Sequence, residues 1–299
     1  MNQKQLIQLG LAVAVLVAAA QVQAQTAYTT QGRVLYSFDL AAPATLTEVG
    51  LFSGATTNVD SLDFRPSNGL LYGYHQATNQ IVTIDTATAV TTFSSTPTTA
   101  LSASSLGIDF NPVVDRLRLV NLDDQNLRVT VGDGTTNNDG ALAYAAGDEN
   151  FGINPGVTEV AYANRDNDVA TGTTLFYIDS LLDILATTSD PNNGVLNTVG
   201  PLGVNTTGNV GFDIITPGLG VNLAYALLDN NDNGTTELYS INLFTGGATL
   251  LGALDSTTNL LDGVPTIALA VVPEPGSLAL LATGLIGAFA FRRRKRQMS

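Results

Sequence analysis

Asp63-Phe64-Arg65-Pro66 returns 46 residues later as Asp109-Phe110-Asn111-Pro112, and its core returns again as Phe212-Asp213-Ile214. Between them Val160-Ala161-Tyr162 fills the same slot without its Asp, so successive slots lie 46, 52 and 52 residues apart. Each copy sits in an apolar run that leads through a turn into a further strand. Repetition at this interval marks stacked supersecondary units. The runs between are four to eight residues long and rich in Val and Thr, and turn signals such as Asn68-Gly69, Asn193-Gly194 and Asn233-Gly234 separate them. That is the pattern of short strands in an all-β chain, and Asn-Gly tolerates the positive φ that tight turns demand.

A second self-match predicts how the repeats close. Leu238-Tyr239-Ser240-Ile241-Asn242-Leu243 mirrors Leu35-Tyr36-Ser37-Phe38-Asp39-Leu40, and a Thr-Leu strand follows each. The N-terminal region therefore reads as a repeat with its outer strands but no inner one, which Val264–Val271 can supply. Strands from both ends completing one blade is how a β-propeller avoids an open sheet edge. We expect about five four-stranded blades, starting near Asp60, Ser105, Val157 and Gly208, with a composite blade from residues 25–55 and 263–272. A β-sandwich is the alternative architecture.

Both ends of the chain carry address-like segments. Lys4 precedes an apolar stretch from Leu9 to Ala20, and Val22-Gln23-Ala24 offers the small residues a signal peptidase needs, so residues 1–24 read as a signal peptide cleaved after Ala24. At the other end Pro273-Glu274-Pro275 precedes the apolar run Leu278–Phe291 and the cluster Arg292-Arg293-Arg294-Lys295-Arg296. The run predicts a short hydrophobic helix. It falls below the roughly 20 residues that comfortably span a bilayer core, and the positive cluster favours the cytoplasmic side, which suits a transient inner-membrane anchor. Residues 25–272 are left as the folded domain. They hold six Arg, no Lys and 25 acids, a net charge of −19. Such a surface repels nucleic acid and anionic lipid. The chain has no Cys, which excludes disulfides, thiolate nucleophiles and Cys-based zinc sites.

The C-terminal segment resembles the PEP-CTERM sorting signal of Gram-negative bacteria, with motif, apolar run and Arg cluster in order over residues 273–299. The resemblance implies processing near Pro273-Glu274-Pro275 by an exosortase-type membrane protease, export to the cell surface or extracellular matrix, and association with exopolysaccharide. The body, through Gly107-Ile108-Asp109-Phe110-Asn111-Pro112, Asp115-Arg116-Leu117-Arg118, Gln125-Asn126-Leu127-Arg128 and Asp139-Gly140-Ala141-Leu142, is similar to domain-of-unknown-function family 4394. That likeness supports the fold and implies no catalytic residues.

If the repeated motif lies on innermost strands, Asp63, Asp109 and Asp213 project near one end of a central channel. Three converging carboxylates would suit a hard cation such as calcium. The competing role, favoured because motifs repeated in successive blades usually serve the blade, is that each Asp caps its own turn. Arg116, Arg118 and Arg128 concentrate positive charge. Arg116 and Arg118, at alternate positions on one strand, could grip a carboxylate or acidic sugar, or else pair with Asp115, Asp123 or Asp124. Asp229–Gly234 resembles the opening of a calcium loop but has Ser240 where an EF-hand needs Glu, so it reads as a polar hairpin tip. Lone His75 lacks a G-x-S-x-G elbow or H-E-x-x-H companion and reads as structural. Tyr36, Tyr72, Tyr74 and Tyr239 could stack on sugars, but strand tyrosines more often pack.

These residues point to a non-enzymatic surface or matrix protein that binds exopolysaccharide, with calcium as a candidate aid. The rival is a calcium-dependent hydrolase of the lactonase type, which gains if the three Asp converge and loses if each bonds only its own turn. A passive coat protein with no saturable ligand is the third reading.

Overall fold

The computed structural model describes residues 25–102, 105–166, 168–218, 220–254 and 266–269. The N-terminal segment with Ala24 and the C-terminal segment with Pro273, Glu274, Pro275, Arg292, Arg293 and Arg294 lie outside them, as does the expected C-terminal helix. Among the described residues no helix is long and apolar enough to cross a membrane.

Five small sheets, antiparallel but for one short edge pairing in two of them, form five blades, as the repeats predict. The first holds β1 (Thr26–Gln31), β2 (Val34–Asp39) and β3 (Thr47–Leu51); the second, β4 (Ser53–Gly54), β5 (Ser61–Phe64), β6 (Leu71–His75), β7 (Gln80–Ile84) and β8 (Val90–Ser95). The third runs through β9 (Leu106–Asn111), β10 (Arg116–Asn121), β11 (Asn126–Val129) and β12 (Thr136–Asn138). The fourth holds β13 (Ala143–Tyr144), β14 (Val157–Tyr162), β15 (Leu175–Asp179), β16 (Ile184–Asp190) and β17 (Val195–Pro201). The fifth holds β18 (Thr206–Gly218), β19 (Val221–Asn230), β20 (Thr235–Ile241) and β21 (Ala248–Ala253). The C-terminal β22 (Ala268–Leu269) pairs antiparallel with β1, Ala27 opposite Leu269, and becomes the inner strand of the first blade. The innermost strands β22, β5, β9, β14 and β18 contact one another in a closed ring.

Two blades depart from the expected four strands. The segments leaving the outer edges of the first and third blades run parallel along the outermost strand of the next, β4 on β8 and β13 on β17. They cover edges that would otherwise expose unpaired N–H and C=O groups. The Asn-Gly turns also differ in detail. Only the glycine takes the left-handed conformation, with φ of 69° at Gly69, Gly194 and Gly234, while the preceding Asn does not.

The core lies between blades. Its five apolar clusters each draw on neighbouring sheets, as where Phe176 and Ile178 of the fourth meet Phe212, Ala226 and Tyr239 of the fifth. Strands covered on both faces are buried along their whole length, as β14 and β15 are, even where β14 carries Thr158 and Glu159. Inner strands of adjacent blades approach closely. At Gly107 a Cβ would lie 2.7 Å from Glu159 Cα, so the approach of β9 to β14 requires glycine.

Candidate functional site: a buried acid cluster in the channel

The repeated acids meet where the inner strands converge. Ligand oxygens of Asp63, Asp109 and Asp213 all lie within 4.8 Å of one another, and each side chain is at most 2% exposed. Their bonds reach across blades. Asp63 Oδ2 accepts the Phe110 N–H of the third blade at 2.8 Å, and Asp109 Oδ1 accepts the Tyr162 N–H of the fourth at 3.1 Å. Asp213 Oδ2 accepts the Leu269 N–H of the first at 2.6 Å. In the first two cases the donor is the residue that follows the next blade's slot, Asp109 or Ala161. The three carboxylates therefore staple consecutive inner strands, and the expectation that each caps its own turn is corrected. Two of them also bond locally, Asp213 accepting the Ile214 N–H at 2.6 Å and Asp63 the Phe64 N–H.

The fourth blade, whose slot holds Ala161, contributes a cation. Arg165, three residues beyond β14, turns its guanidinium into the cluster. Its Nη1 donates to Asp213 Oδ1 at 2.8 Å and its Nη2 to Asp63 Oδ1 at 3.0 Å and to the Phe64 carbonyl. Arg165 Nε is buried and has no partner among the described residues. Glu159 of β14, 3% exposed, accepts among the described residues only its neighbour's Val160 N–H, at 3.4 Å.

Three buried aspartates around one guanidinium, with buried Glu159 feeling two of them, cannot all stay charged. Burial, reinforced by Asp63, pushes the Asp109 carboxyl well up, and burial pushes Glu159 well up too. Burial outweighs the attraction of Arg165 at Asp63, raising it to about 7, and raises Asp213 as well. Arg165 itself stays charged, held by Asp213, Asp63 and Asp109 against the cost of burial. The cluster thus holds protons at neutral pH. A raised carboxyl binds its proton more tightly in the folded state, so its stabilisation is complete below the ordinary value near 4 and lost as pH rises through the folded value. The unfolding free energy from urea titration should therefore fall from pH 5 to pH 8, by about 1.4 kcal/mol per pH unit for each proton released on unfolding, and the midpoint with it. Asp63→Asn should flatten this slope; a midpoint that rises with pH over this window would refute the assignment.

The donor set does not fit calcium well. A hard cation wants six to eight oxygens, whereas the oxygens of Asp63 and Asp213 already receive backbone N–H groups and a guanidinium.

The basic residues do not form one open site. Arg118 is 1% exposed and bonds Asn126 at 2.6 Å, Asp139 at 2.7 Å, Asn192 at 3.2 Å and Tyr162 at 3.3 Å. Arg128 shares Asp139. The partner is Asp139, not Asp115, Asp123 or Asp124, because Arg118 and Arg128 stand opposite each other on β10 and β11. Asp115 pairs instead with Arg65, and Arg116 stays partly exposed. His75 Nδ1 lies between the hydroxyls of Thr56 at 2.8 Å and Thr78 at 3.0 Å. In the Asp229–Gly234 tip, Asn230 and Asn233 bond Glu237, and Asp232 bonds Asn205. Glu159 and Arg165 went unnoticed in the sequence. The available signal was that the one internal repeat lacking Asp carries, within four residues of its slot, one of only six arginines in the domain.

Fold and site together define a closed β-propeller whose inner strands are cross-linked by buried carboxylates around an arginine. The chain belongs to the family described as Domain of unknown function (DUF4394), whose sequence profile matches residues 34–263. Residues 271–295 match the PEP-CTERM protein-sorting motif, which marks an exported protein sorted to the cell surface. No curated protein matches the chain. Similar solved structures include a putative 6-phosphogluconolactonase from Bacteroides uniformis (12% identity, 77% of this chain and 83% of that one, TM-score 0.41). An auxiliary nutrient binding protein from Bacteroides ovatus matches at 10% identity over 75% of this chain and 53% of that one, with a TM-score of 0.46.

Proposed function

We propose that the protein is a non-enzymatic surface or matrix component that binds exopolysaccharide through the outside of its propeller. Exosortase-type processing near Pro273-Glu274-Pro275 would release it from a transient inner-membrane anchor. The observation that carries this reading is the state of the channel acids: Asp63 and Asp213 are committed to neighbouring backbone and to Arg165, and so are used in holding blades together. A channel filled in this way favours a scaffold, with ligands taken at the periphery. The convergence of Asp63, Asp109 and Asp213 favours the second reading, a calcium-dependent lactonase-type hydrolase.

Co-sedimentation of the exported protein with exopolysaccharide from its own host, in calcium and then in chelator, separates the two. Saturable binding in both conditions is the expected outcome, since Arg165 supplies the cluster's positive charge. Binding lost on chelation would give calcium a role. Absence of binding, with lactone hydrolysis abolished by Asp109→Asn, would sink the proposal in favour of the hydrolase.

A further inference from the structure

Between the fourth and fifth blades lies a cleft of about 570 Å³, a size typical of small-molecule sites. Its wall and rim include Val221, Leu243 and Phe244, and the Phe244 ring is 94% exposed on the turn after β20. An aromatic ring held so fully in water beside a cavity leaves a whole face free for stacking.

The polar lining is Thr174 and three asparagines, Asn164, Asn222 and Asn242, whose orientation is forced. Asn222 Oδ1 accepts the Asn164 backbone N–H at 2.9 Å and the Thr216 hydroxyl at 2.8 Å, while Asn222 Nδ2 donates to Asn164 Oδ1 at 2.7 Å. Asn242 Oδ1 accepts the backbone N–H groups of Phe244 at 2.9 Å and Thr245 at 3.2 Å. With these carbonyl ends occupied, the amide N–H donors of Asn164 and Asn242, and the second N–H of Asn222, remain for a ligand.

No lining residue is charged, although the domain carries 25 acids and six arginines. An anionic ligand would find no cation here and meet a strongly acidic surface outside; a cationic one would find no carboxylate. A peptide needs donors and acceptors from its partner in comparable number, and here the amide donors outnumber the acceptors left on Asn164 Oδ1 and the Thr174 hydroxyl. Sugar hydroxyls accept from amide donors, and the C–H face of a pyranose ring stacks on an exposed aromatic.

We propose that this cleft is a binding site for a neutral oligosaccharide, with Phe244 as stacking platform and Asn164, Asn222 and Asn242 as donors. The proposal rests on the polysaccharide-binding reading above and gives it a location and a ligand charge.

The test is calorimetric titration of the full chain with cellohexaose, maltohexaose and mannohexaose, and with oligogalacturonate as the anionic counterpart. At least one neutral hexasaccharide should bind, and oligogalacturonate should not. Phe244→Ala should weaken binding about tenfold, the loss of one stacking contact. Val221→Trp, which fills the cleft from its exposed rim, should do the same. Phe151→Ala, a ring 64% exposed outside the cleft, should have no effect. Host polysaccharide binding that survives both cleft variants unchanged would overturn the cleft and keep the broader reading. Preference for oligogalacturonate would overturn the neutral ligand. Failure of host polymer and oligosaccharides alike would overturn both.

Discussion

Arg165→Ala should cost the protein about 3–5 kcal/mol of stability at neutral pH, the usual penalty for removing one partner of a buried ion pair. Much of a typical total of roughly 5–15 kcal/mol would go with it. The reason is the identity of what remains. Asp63 and Asp213 would keep their backbone donors but lose the guanidinium that bonds both, at 3.0 and 2.8 Å. With Asp109 within 4.8 Å, the site would be purely acidic. The urea midpoint should drop sharply at pH 7.5 and recover in part at pH 5, where protonation removes the repulsion. Arg165→Lys should rescue little, since one ammonium cannot reproduce the fork that spans two carboxylates. Arg165→Met combined with Asp63→Asn and Asp213→Asn should be milder than Arg165→Ala, because no charge is left unpaired. If Arg165→Ala unfolds at the parental midpoint at pH 7.5, the guanidinium does not hold the ring.

Ending the chain at residue 263 should be at least as damaging, whereas ending it at residue 272 should not be. The shorter chain loses β22, and with it the burial of Ile267, Ala268 and Leu269 and the Thr266 hydroxyl that bonds Thr30 at 3.0 Å. Burial of one Ile and one Leu is worth about 3–6 kcal/mol. Asp213 Oδ2 also loses its Leu269 N–H, leaving a buried acceptor that costs a further 1–3 kcal/mol or so. The inner edge of β1 would be exposed and invite self-association. Thermal unfolding with light scattering would follow this: a cooperative transition for the chain ending at 272, and early aggregation for the chain ending at 263. Equal, cooperative transitions would show that the C-terminal strand does not close the ring.

Much of this architecture is readable from residues because each blade solves the same packing problem. An inner strand covered on both faces needs a run such as Leu106–Phe110, and the next blade needs another at a similar interval. The match of Leu238–Leu243 to Leu35–Leu40 announced that the first blade lacked an inner strand, and β22 fills that place. The segments β4 and β13, two residues each, left no periodic trace, because pairing along a neighbour's edge asks little of side chains. The partners of Asp63, Asp109 and Asp213 were not readable, since they lie 47, 53 and 56 residues away. Arg165 reaches Asp63 across 102 residues, and nothing local distinguishes it from a surface arginine.

Blade number, closure by the two ends, an acidic domain and a sorting address at the C-terminus all follow from the chain's own pattern, because periodicity, charge and apolar length are local properties. The work of the carboxylates does not follow from it. An aspartate that caps a turn, binds a cation or ties two strands is the same residue in a sequence; which it does depends on the donor brought within hydrogen-bonding distance. Ring closure brings the next blade's N–H and the guanidinium of Arg165 to that distance, and ring closure also leaves Phe244 standing in water beside an uncharged cleft.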